Sequence, residues 1–379
     1  MRRAKVFRTS ACRSLREAVL LAATLLLSGG VHAQDSAGIL AALKAPAGFK
    51  VTVYAEGVAG ARSMARGAQG TLFVGTMRTG KVYAIRELAD GRREVLTVAQ
   101  GLNLPNGVAF RDGALYVAET QRVQRYDGIE GRLDAPPKPV VVRSDLPTDR
   151  HHGWRYIAFG PDGKLYIPIG APCNVCDQKG YASITRMNPD GTGREVVATG
   201  VRNTVGMTWQ PGTDVLWFTD NGRDYLGDDA PPDELNRAPT TGLDFGFPYC
   251  HAGEIKDPEF GKLGDCAKST APARKLGAHV AALGVKFYTG TQFPEEYRNQ
   301  VFIAEHGSWN RSQRSGYEIS LVRVRDDKAT SYEPFITGWN QPDRVLGRPV
   351  DLLVMPDGSM LISDEQAGLI YQVSYSGAG

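Results

Sequence analysis

The sequence predicts an all-β chain built as a six-bladed β-propeller with a large loop insertion, and three observations carry that reading. The 379 residues include 44 Gly and 22 Pro, roughly one in six against a usual share of about 12%, so tight turns are frequent. Short apolar runs recur after Asp-Gly or Pro-Asp-Gly turns, as at Asp112-Gly113, Asp162-Gly163 and Asp357-Gly358, the grammar of repeated hairpins. The runs also keep a rough period. Taking Leu72, Leu115, Leu165, Leu216, Val301 and Leu361 as equivalent gives spacings of 43, 50, 51, 85 and 60 residues. A repeat of about 40–50 residues with four strands each is the mark of a propeller blade. A stacked pair of β-sandwiches would not enforce so even a spacing. With 42% hydrophobic and 22% charged residues, disorder, collagen, a coiled coil and a multispanning membrane protein are excluded.

In chain order, residues 1–33 are set aside as a signal peptide. Arg2, Arg3, Lys5, Arg8, Arg13 and Arg16 precede a short apolar run from Ala18 to Leu27 and then Val31-His32-Ala33, the order of a secretory signal with cleavage after Ala33. The apolar run is too short to span a bilayer core of about 30 Å. Residues 34–379 then form one catalytic propeller domain. The segment holds six basic residues and one acid, so its removal turns the formal charge from +3 to about −2. No nucleic-acid or membrane partner is implied. Segment 49–54 is expected to complete the last blade and close the ring. The long gap between Leu216 and Val301 is read as an insertion over about 227–278, rich in Gly, Pro and charge.

Beyond the leader four cysteines remain: Cys173, Cys176, Cys250 and Cys266. An even number in an oxidising compartment points to two disulfides. Proximity favours Cys173–Cys176 and Cys250–Cys266, with two other pairings open. Asp177 follows the second Cys where a c-type haem needs His. A zinc site would draw on both pairs, yet exported thiols usually oxidise first.

In a propeller, function sits on loops around the central channel. His151-His152 lies just before the third blade, where a neutral imidazole can act as a base. Asn106, the pair Arg202-Asn203, and Arg348 occupy equivalent places before the second, fourth and sixth blades. Guanidinium forks bind carboxylates bidentately, so several aimed at one cavity imply a polyanionic ligand, or else salt bridges to neighbouring Asp. The oxygen-rich stretch Asp220-Asn221-Gly222-Arg223-Asp224 suits Ca²⁺ but lacks EF-hand spacing. The run Glu305-His306-Gly307-Ser308-Trp309-Asn310-Arg311 is read as a wall of the site.

Taken in order, His-Gly-Trp-Arg, Phe-Gly-Pro-Asp-Gly-Lys-Leu-Tyr, Gly-Ala-Pro-Cys-Asn-Val-Cys, Val-Arg-Asn, Thr-Asp-Asn-Gly-Arg-Asp, Asp-Glu-Leu-Asn, Asp-Phe-Gly-Phe-Pro-Tyr-Cys-His and Glu-His-Gly-Ser-Trp-Asn-Arg resemble the sorbosone-dehydrogenase branch of the soluble PQQ-dependent sugar dehydrogenases. The likeness runs over about residues 45–375. It implies a periplasmic quinoprotein sugar dehydrogenase that uses pyrroloquinoline quinone (PQQ) and Ca²⁺. Such an enzyme oxidises an aldose or related, sorbosone-like sugar by His-assisted hydride transfer to the quinone. The family's base falls on His152, with His151 as its neighbour. Its quinone contacts fall on Arg202 and Asn203, and its carboxylate-binding cations on Arg311 and Arg348. Asn106 stands nearest to a Gln of the second blade, and Trp309 joins the cofactor wall. The calcium loop falls on Gly222 and Arg223, with Asn221 beside it. The glucose enzymes carry two arginines flanking one residue near the last blade. Here Val350 follows Arg348 at that spacing, a departure that bears on sugar preference and cofactor affinity. No haem motif is fused, so a separate electron acceptor, a cytochrome or a quinone, is implied.

Two other readings compete. A metal-dependent lactonase of the gluconolactonase type would use Asn106, Asn203 and Asp220, with Glu119 adding a carboxylate. A non-enzymatic binding propeller would present an exposed apolar stripe, and the sequence shows none.

Overall fold

A computed structural model describes residues 36–377. The expected signal peptide lies outside the described residues. Six four-stranded antiparallel units form a six-bladed propeller. From the channel outward, blade 1 comprises Ala61–Arg66, Leu72–Thr76, Lys81–Glu87 and Arg93–Gln100, and blade 2 Gly107–Arg111, Ala114–Ala118, Val123–Asp127 and Val140–Arg143. Blade 3 holds Ala158–Phe159, Leu165–Ile169, Ser183–Met187 and Glu195–Thr199; blade 4 holds Met207–Trp209, Leu216–Asp220, Pro232–Ala238 and Arg274–Ala278. Blade 5 consists of Ala282–Phe287, Val301–Glu305, Glu318–Arg325 and Lys328–Ile336. Blade 6 joins Pro349–Val354, Met360–Asp364 and Leu369–Tyr375 to the N-terminal Phe49–Ala55. That last strand pairs antiparallel with Leu369–Tyr375, so chain ends far apart in sequence lock the ring.

All six anchor residues of the repeat fall in the second strand of their blade, and every residue of those strands is buried. A second strand is covered on both faces by neighbouring blades, which selects continuous apolar runs over alternating ones. The core is correspondingly divided into layers. One buried cluster lies between each pair of adjacent blades, the richest in aromatics being that between blades 5 and 6, around Tyr288, Phe293, Phe302 and Trp339. Close approach of the inner strands depends on glycine. A Cβ on Gly206 would lie 2.1 Å from the Leu283 carbonyl oxygen, and one on Gly107 2.5 Å from that of Arg155. The Asp112-Gly113 turn has φ of 50° and 76°, as a two-residue hairpin with both central residues left-handed requires.

The insertion is shorter than the expected 227–278. Pro232–Ala238 and Arg274–Ala278 are the third and outer strands of blade 4, paired antiparallel, and the excursion lies between them. Asp233, Glu234 and Asn236 give that third strand the look of a solvated loop. These side chains are instead buried: Asp233 and Glu234 accept from main-chain N–H groups, and the Asn236 amide N–H donates to Glu234. Within the excursion Leu243–Asp244 adds parallel to the outer strand of blade 3, and Cys250 bonds to Cys266. Cys173 bonds to Cys176, which closes the zinc reading of these thiols. No described helix is long and apolar enough to cross a membrane.

Candidate active site at the channel mouth

The loops that enter the inner strands and those that leave the second strands meet at one end of the channel. There they enclose a cavity of about 450 Å³, within the usual range for small-molecule sites of about 300–1,000 Å³. Its wall includes His151, His152, Arg202, Asn203, Arg348 and Trp309, drawn from blades far apart in sequence. Asn221 and Gly222 also line it.

His152 is buried at 7% exposure and adopts φ 48°, an uncommon conformation for a residue with a side chain. Three contacts hold it there. Its Nδ1 lies 2.8 Å from the Ala171 carbonyl oxygen. Its own carbonyl accepts from the buried Arg155 guanidinium at 3.2 Å. Gly170 leaves room against it, since a Cβ there would come within 2.6 Å of the His152 Cβ. Burial first, and then the positive Arg202 and neighbouring His151, push the His152 pKa well below its ordinary value, so the ring is neutral. A carbonyl only accepts, so Nδ1 carries the proton and Nε2 the lone pair. Nε2 makes no hydrogen bond among the described residues, nor is it sealed from solvent.

Arg202 is nearly buried and clamped on one side. Nε donates to the Asn174 carbonyl at 2.8 Å, one terminal nitrogen to the Asn221 carbonyl at 3.1 Å, and the other to Asn174 Oδ1 at 2.9 Å and Asp224 at 3.1 Å. These bonds leave one N–H of its five for a ligand. The backbone beneath it is pinned by Asp220, whose carboxylate accepts from the N–H groups of Arg202 at 2.8 Å and Asn203 at 2.6 Å. Arg348 is held in the same way, its N–H donating to Asp364 at 2.9 Å. Its guanidinium lies over Tyr317 and donates to the carbonyls of His306 and Gly307, while its Nε makes no bond among the described residues.

Arg311 does not join this wall. It forms an ion pair with Asp229 at 2.7 Å, because the blade 4 loop carrying that acid packs against the blade 5 loop. Arg62 and Arg78 line the cavity in its place, and Arg78 makes no ion pair among the described residues. Arg62 donates to Glu365 and to Asn106 Oδ1, each at 2.5 Å. Asn106 is thereby fully buried behind Arg62, outside the lining. The Arg223 side chain likewise turns away, toward Asp257 at 2.5 Å and Glu259 at 3.0 Å. Trp309 stands at the rim, 66% exposed.

Glu365 was not legible in the sequence, whereas His306 belongs to the run expected to form a wall; both line the cavity, with Asp233. His306 Nε2 donates to Glu365 at 2.9 Å. Burial raises the Glu365 carboxyl, but Arg62 and His306 pull it down to about 2. Asp233 accepts from Gly222 N–H at 2.9 Å and Ala282 N–H at 3.1 Å, and burial lifts it to about 6. The three lining carboxylates, Asp224, Asp233 and Glu365, are thus committed within the wall. The donor set of the lactonase reading is dispersed. Asn106 serves Arg62, Asp220 serves main-chain N–H groups, and Glu119 pairs with Arg122. Among the described residues no cluster of three or more His, Cys, Asp or Glu side chains is placed to hold a metal.

A basic, histidine-bearing cavity opens at the mouth of a six-bladed propeller, and the family match makes the chain an oxidoreductase of the quinoprotein sugar dehydrogenase class. More narrowly, the model of the TrAA12-like family matches residues 43–376, and the chain belongs to that family, in agreement with the resemblance of its motifs. An uncharacterized protein of Borreliella burgdorferi is 34% identical over 354 residues, 89% of this chain and 92% of its own. The aldose sugar dehydrogenase YliI of Escherichia coli K12 is 26% identical over 60% of this chain and 61% of its own. Among solved structures, the Trichoderma reesei Carbohydrate-Active Enzymes Family AA12 protein superposes with a TM-score of 0.75 at 21% identity, covering 88% of this chain and 98% of that one. The holo PQQ domain of Coprinopsis cinerea pyranose dehydrogenase gives 0.75 at 17% identity, over 88% and 97% of the two chains. These likenesses show the same fold.

Proposed function

We propose that this chain oxidises an aldose or a related, sorbosone-like sugar with PQQ, using His152 as the base. The observation that carries the reading is the state of His152: a neutral imidazole whose Nε2 lone pair is available in a cavity rimmed by guanidinium groups. A Coprinopsis relative is described as a holo PQQ domain and a Streptomyces one as PQQ-bound, which supports the cofactor.

The residues present suit such a group. PQQ is a flat molecule with three carboxylates, and bound there it would accept two electrons from the sugar carbon. The remaining N–H of Arg202, Arg348 Nε, Arg62, Arg78 and the Asn203 amide would hold those carboxylates, as charge-assisted bonds favour. His152 Nε2 takes the proton of the sugar hydroxyl, and the Ala171 carbonyl accepts from Nδ1–H both before and after the ring becomes charged. Arg202 and His151 oppose the charged imidazole, so the proton passes readily to solvent.

Calcium held by main-chain oxygens completes the reading. The carbonyls of Gly222 and Arg223 accept no hydrogen bond among the described residues, as unclaimed hard donors for such an ion would; Asn221 lies beside them. Two disulfides favour an oxidising compartment, in keeping with export to the periplasm. A separate cytochrome or quinone would then take the electrons.

The test is reconstitution. Purified protein supplied with PQQ and Ca²⁺ is expected to show the absorbance of bound quinone and to reduce a dye when aldoses are added. Lactone hydrolysis without PQQ, and no dye reduction with it, would overturn the proposal in favour of the lactonase.

A further inference from the structure

Three successive residues of the loop that leaves the second strand of blade 4 are tied by their donors to three different segments. The Gly222 N–H goes to Asp233 at 2.9 Å, the Arg223 guanidinium to Asp257 at 2.5 Å, and the Asp224 N–H to Asn174 Oδ1 at 2.8 Å. The carbonyl of Gly222, a residue of the cavity wall, is left unclaimed among the described residues. Glycine sets no direction for its own peptide. Its carbonyl shares a rigid plane with the Arg223 N–H, so its aim depends on what fixes the chain on either side. Asp233 fixes the near side. A Cβ on Gly222 would come within 2.9 Å of Pro231 Cγ, so there is little room for a side chain that would set the angle locally. The far side is fixed by the Arg223 side chain.

Asp257, at the other end of that side chain, is a firm anchor. It is buried at 3% exposure. Its Oδ1 accepts from the N–H groups of Glu259 and Phe260, each at 2.8 Å, and its Oδ2 from His251 Nε2 at 2.9 Å as well as from Arg223. Its own N–H donates to the Tyr249 carbonyl at 3.0 Å, one residue before Cys250, which is bonded to Cys266. The second limb of the Arg223 fork ends on Glu259, whose carboxylate side chain is 60% exposed, and solvent screens such a pair. The excursion between the third and outer strands of blade 4 therefore reaches the 222–224 loop through one buried ion pair.

We infer that Asp257 is a positioning residue for calcium: through Arg223 it holds the Gly222 carbonyl at the angle a cation in the cavity requires, and the blade 4 excursion serves to carry it. The inference rests on the calcium reading and deepens it.

Protein loaded with PQQ, freed of excess quinone and stripped of metal by a chelator, is titrated with Ca²⁺ by calorimetry, with the bound-quinone absorbance followed alongside. Asp257→Asn should raise the Kd for Ca²⁺ about tenfold or more, the usual weight of a partner that orients a metal ligand. Arg223→Met should raise it as much, and the double variant should add little, because both changes break one link. Leu72→Ala, a core change in blade 1 remote from the site, reports what lost stability alone costs and should leave the Kd within about twofold. If Asp257→Asn fails to fold, Arg223→Met carries the test, since Asp257 then keeps His251 and its two main-chain donors. A Kd within about twofold of the wild type in Arg223→Met, or a rise no greater than in Leu72→Ala, overturns the brace while leaving calcium in place. A wild-type protein that holds PQQ yet takes up no Ca²⁺ overturns the calcium reading beneath it.

Discussion

His152 Nδ1 and the carbonyl oxygen of Ala171 lie 2.8 Å apart, and this contact decides which nitrogen is free to take a proton. The pKa, pushed down first by burial and then by Arg202 and His151, keeps Nε2 unprotonated throughout the neutral range. The acid limb of kcat/KM should therefore lie well below pH 6.5. His152→Ala should cut turnover by about 10²–10⁴-fold, the usual weight of a general base, with PQQ still bound. Stability should follow the same group. The unfolded ring takes a proton near pH 6.5 and the folded ring only at lower pH, so stability is lost as pH falls below about 6.5, by up to about 1.4 kcal/mol per pH unit. Melting curves of wild type and His152→Gln between pH 7 and 5 check this. Parallel pH dependences would remove His152 as the titrating group.

The base also depends on a glycine behind it. A Cβ on Gly170 would stand 2.6 Å from the His152 Cβ, 2.9 Å from its carbonyl oxygen and 3.3 Å from that of Arg202. None of these is the far end of a flexible chain, so the loop itself must shift. Gly170→Ala should destabilise by about 1–3 kcal/mol, as overpacking does. It should lower kcat by more than the small population of unfolded protein explains. Urea midpoints measured beside turnover separate the two effects.

The blades were legible in the sequence because burial on both faces imposes continuous apolar runs: Leu72, Leu115, Leu165, Leu216, Val301 and Leu361 all mark second strands. That His152, Arg202, Asn203 and Arg348 line one cavity was legible for a related reason, since residues entering an inner strand must face the channel mouth. Side-chain direction was not legible. Arg311 sits within the expected run yet is captured by Asp229, some eighty positions away in the chain. Arg62 escaped notice because it lies inside the first strand of blade 1, among alternating small residues. Pro232–Ala238 was mistaken for insertion because its acids bind buried main-chain N–H groups, a role that composition does not distinguish from solvation.

Asn174, inside the Cys173–Cys176 ring, is the clamp on the buried Arg202 of the cavity wall. Its Oδ1 accepts from Arg202 at 2.9 Å and from the Asp224 N–H at 2.8 Å, and its Nδ2 donates to the Asp224 carbonyl at 3.1 Å. Asn174→Ala strands these groups and should cost about 1–3 kcal/mol. Freed from its clamp, Arg202 should also hold an anionic cofactor less tightly. A Cys173→Ser, Cys176→Ser double variant loosens the same ring and should weaken PQQ binding in the same direction. Equilibrium titration of PQQ against each variant reads the effect. Unchanged affinity in both would show that Arg202 is positioned without the ring.

Glu305 ends the second strand of blade 5 and is fully buried. Its Oε1 accepts from Ser320 at 2.7 Å and Tyr332 at 2.5 Å, while Oε2 has no partner. Glu318 is its direct cross-strand neighbour. Burial, reinforced by the charge of Glu318, raises the Glu305 carboxyl to about 8. The folded chain thus keeps this proton up to about pH 8, whereas the unfolded chain releases it near pH 4.5. The stabilisation is fully present below about pH 4.5 and is lost as pH rises through 8, a change on the order of a few kcal/mol. Glu305→Gln removes the ionisation. At pH 5 the exchange should be neutral or slightly destabilising, because the new amide brings a donor to a site with few acceptors. By pH 9 the variant should melt above the wild type, since the wild type must by then bury a carboxylate beside Glu318. Calorimetric melting temperatures at half-unit steps from pH 5 to 9 decide the matter. Curves that stay parallel over that range would mean that Glu305 is already ionised in the folded protein.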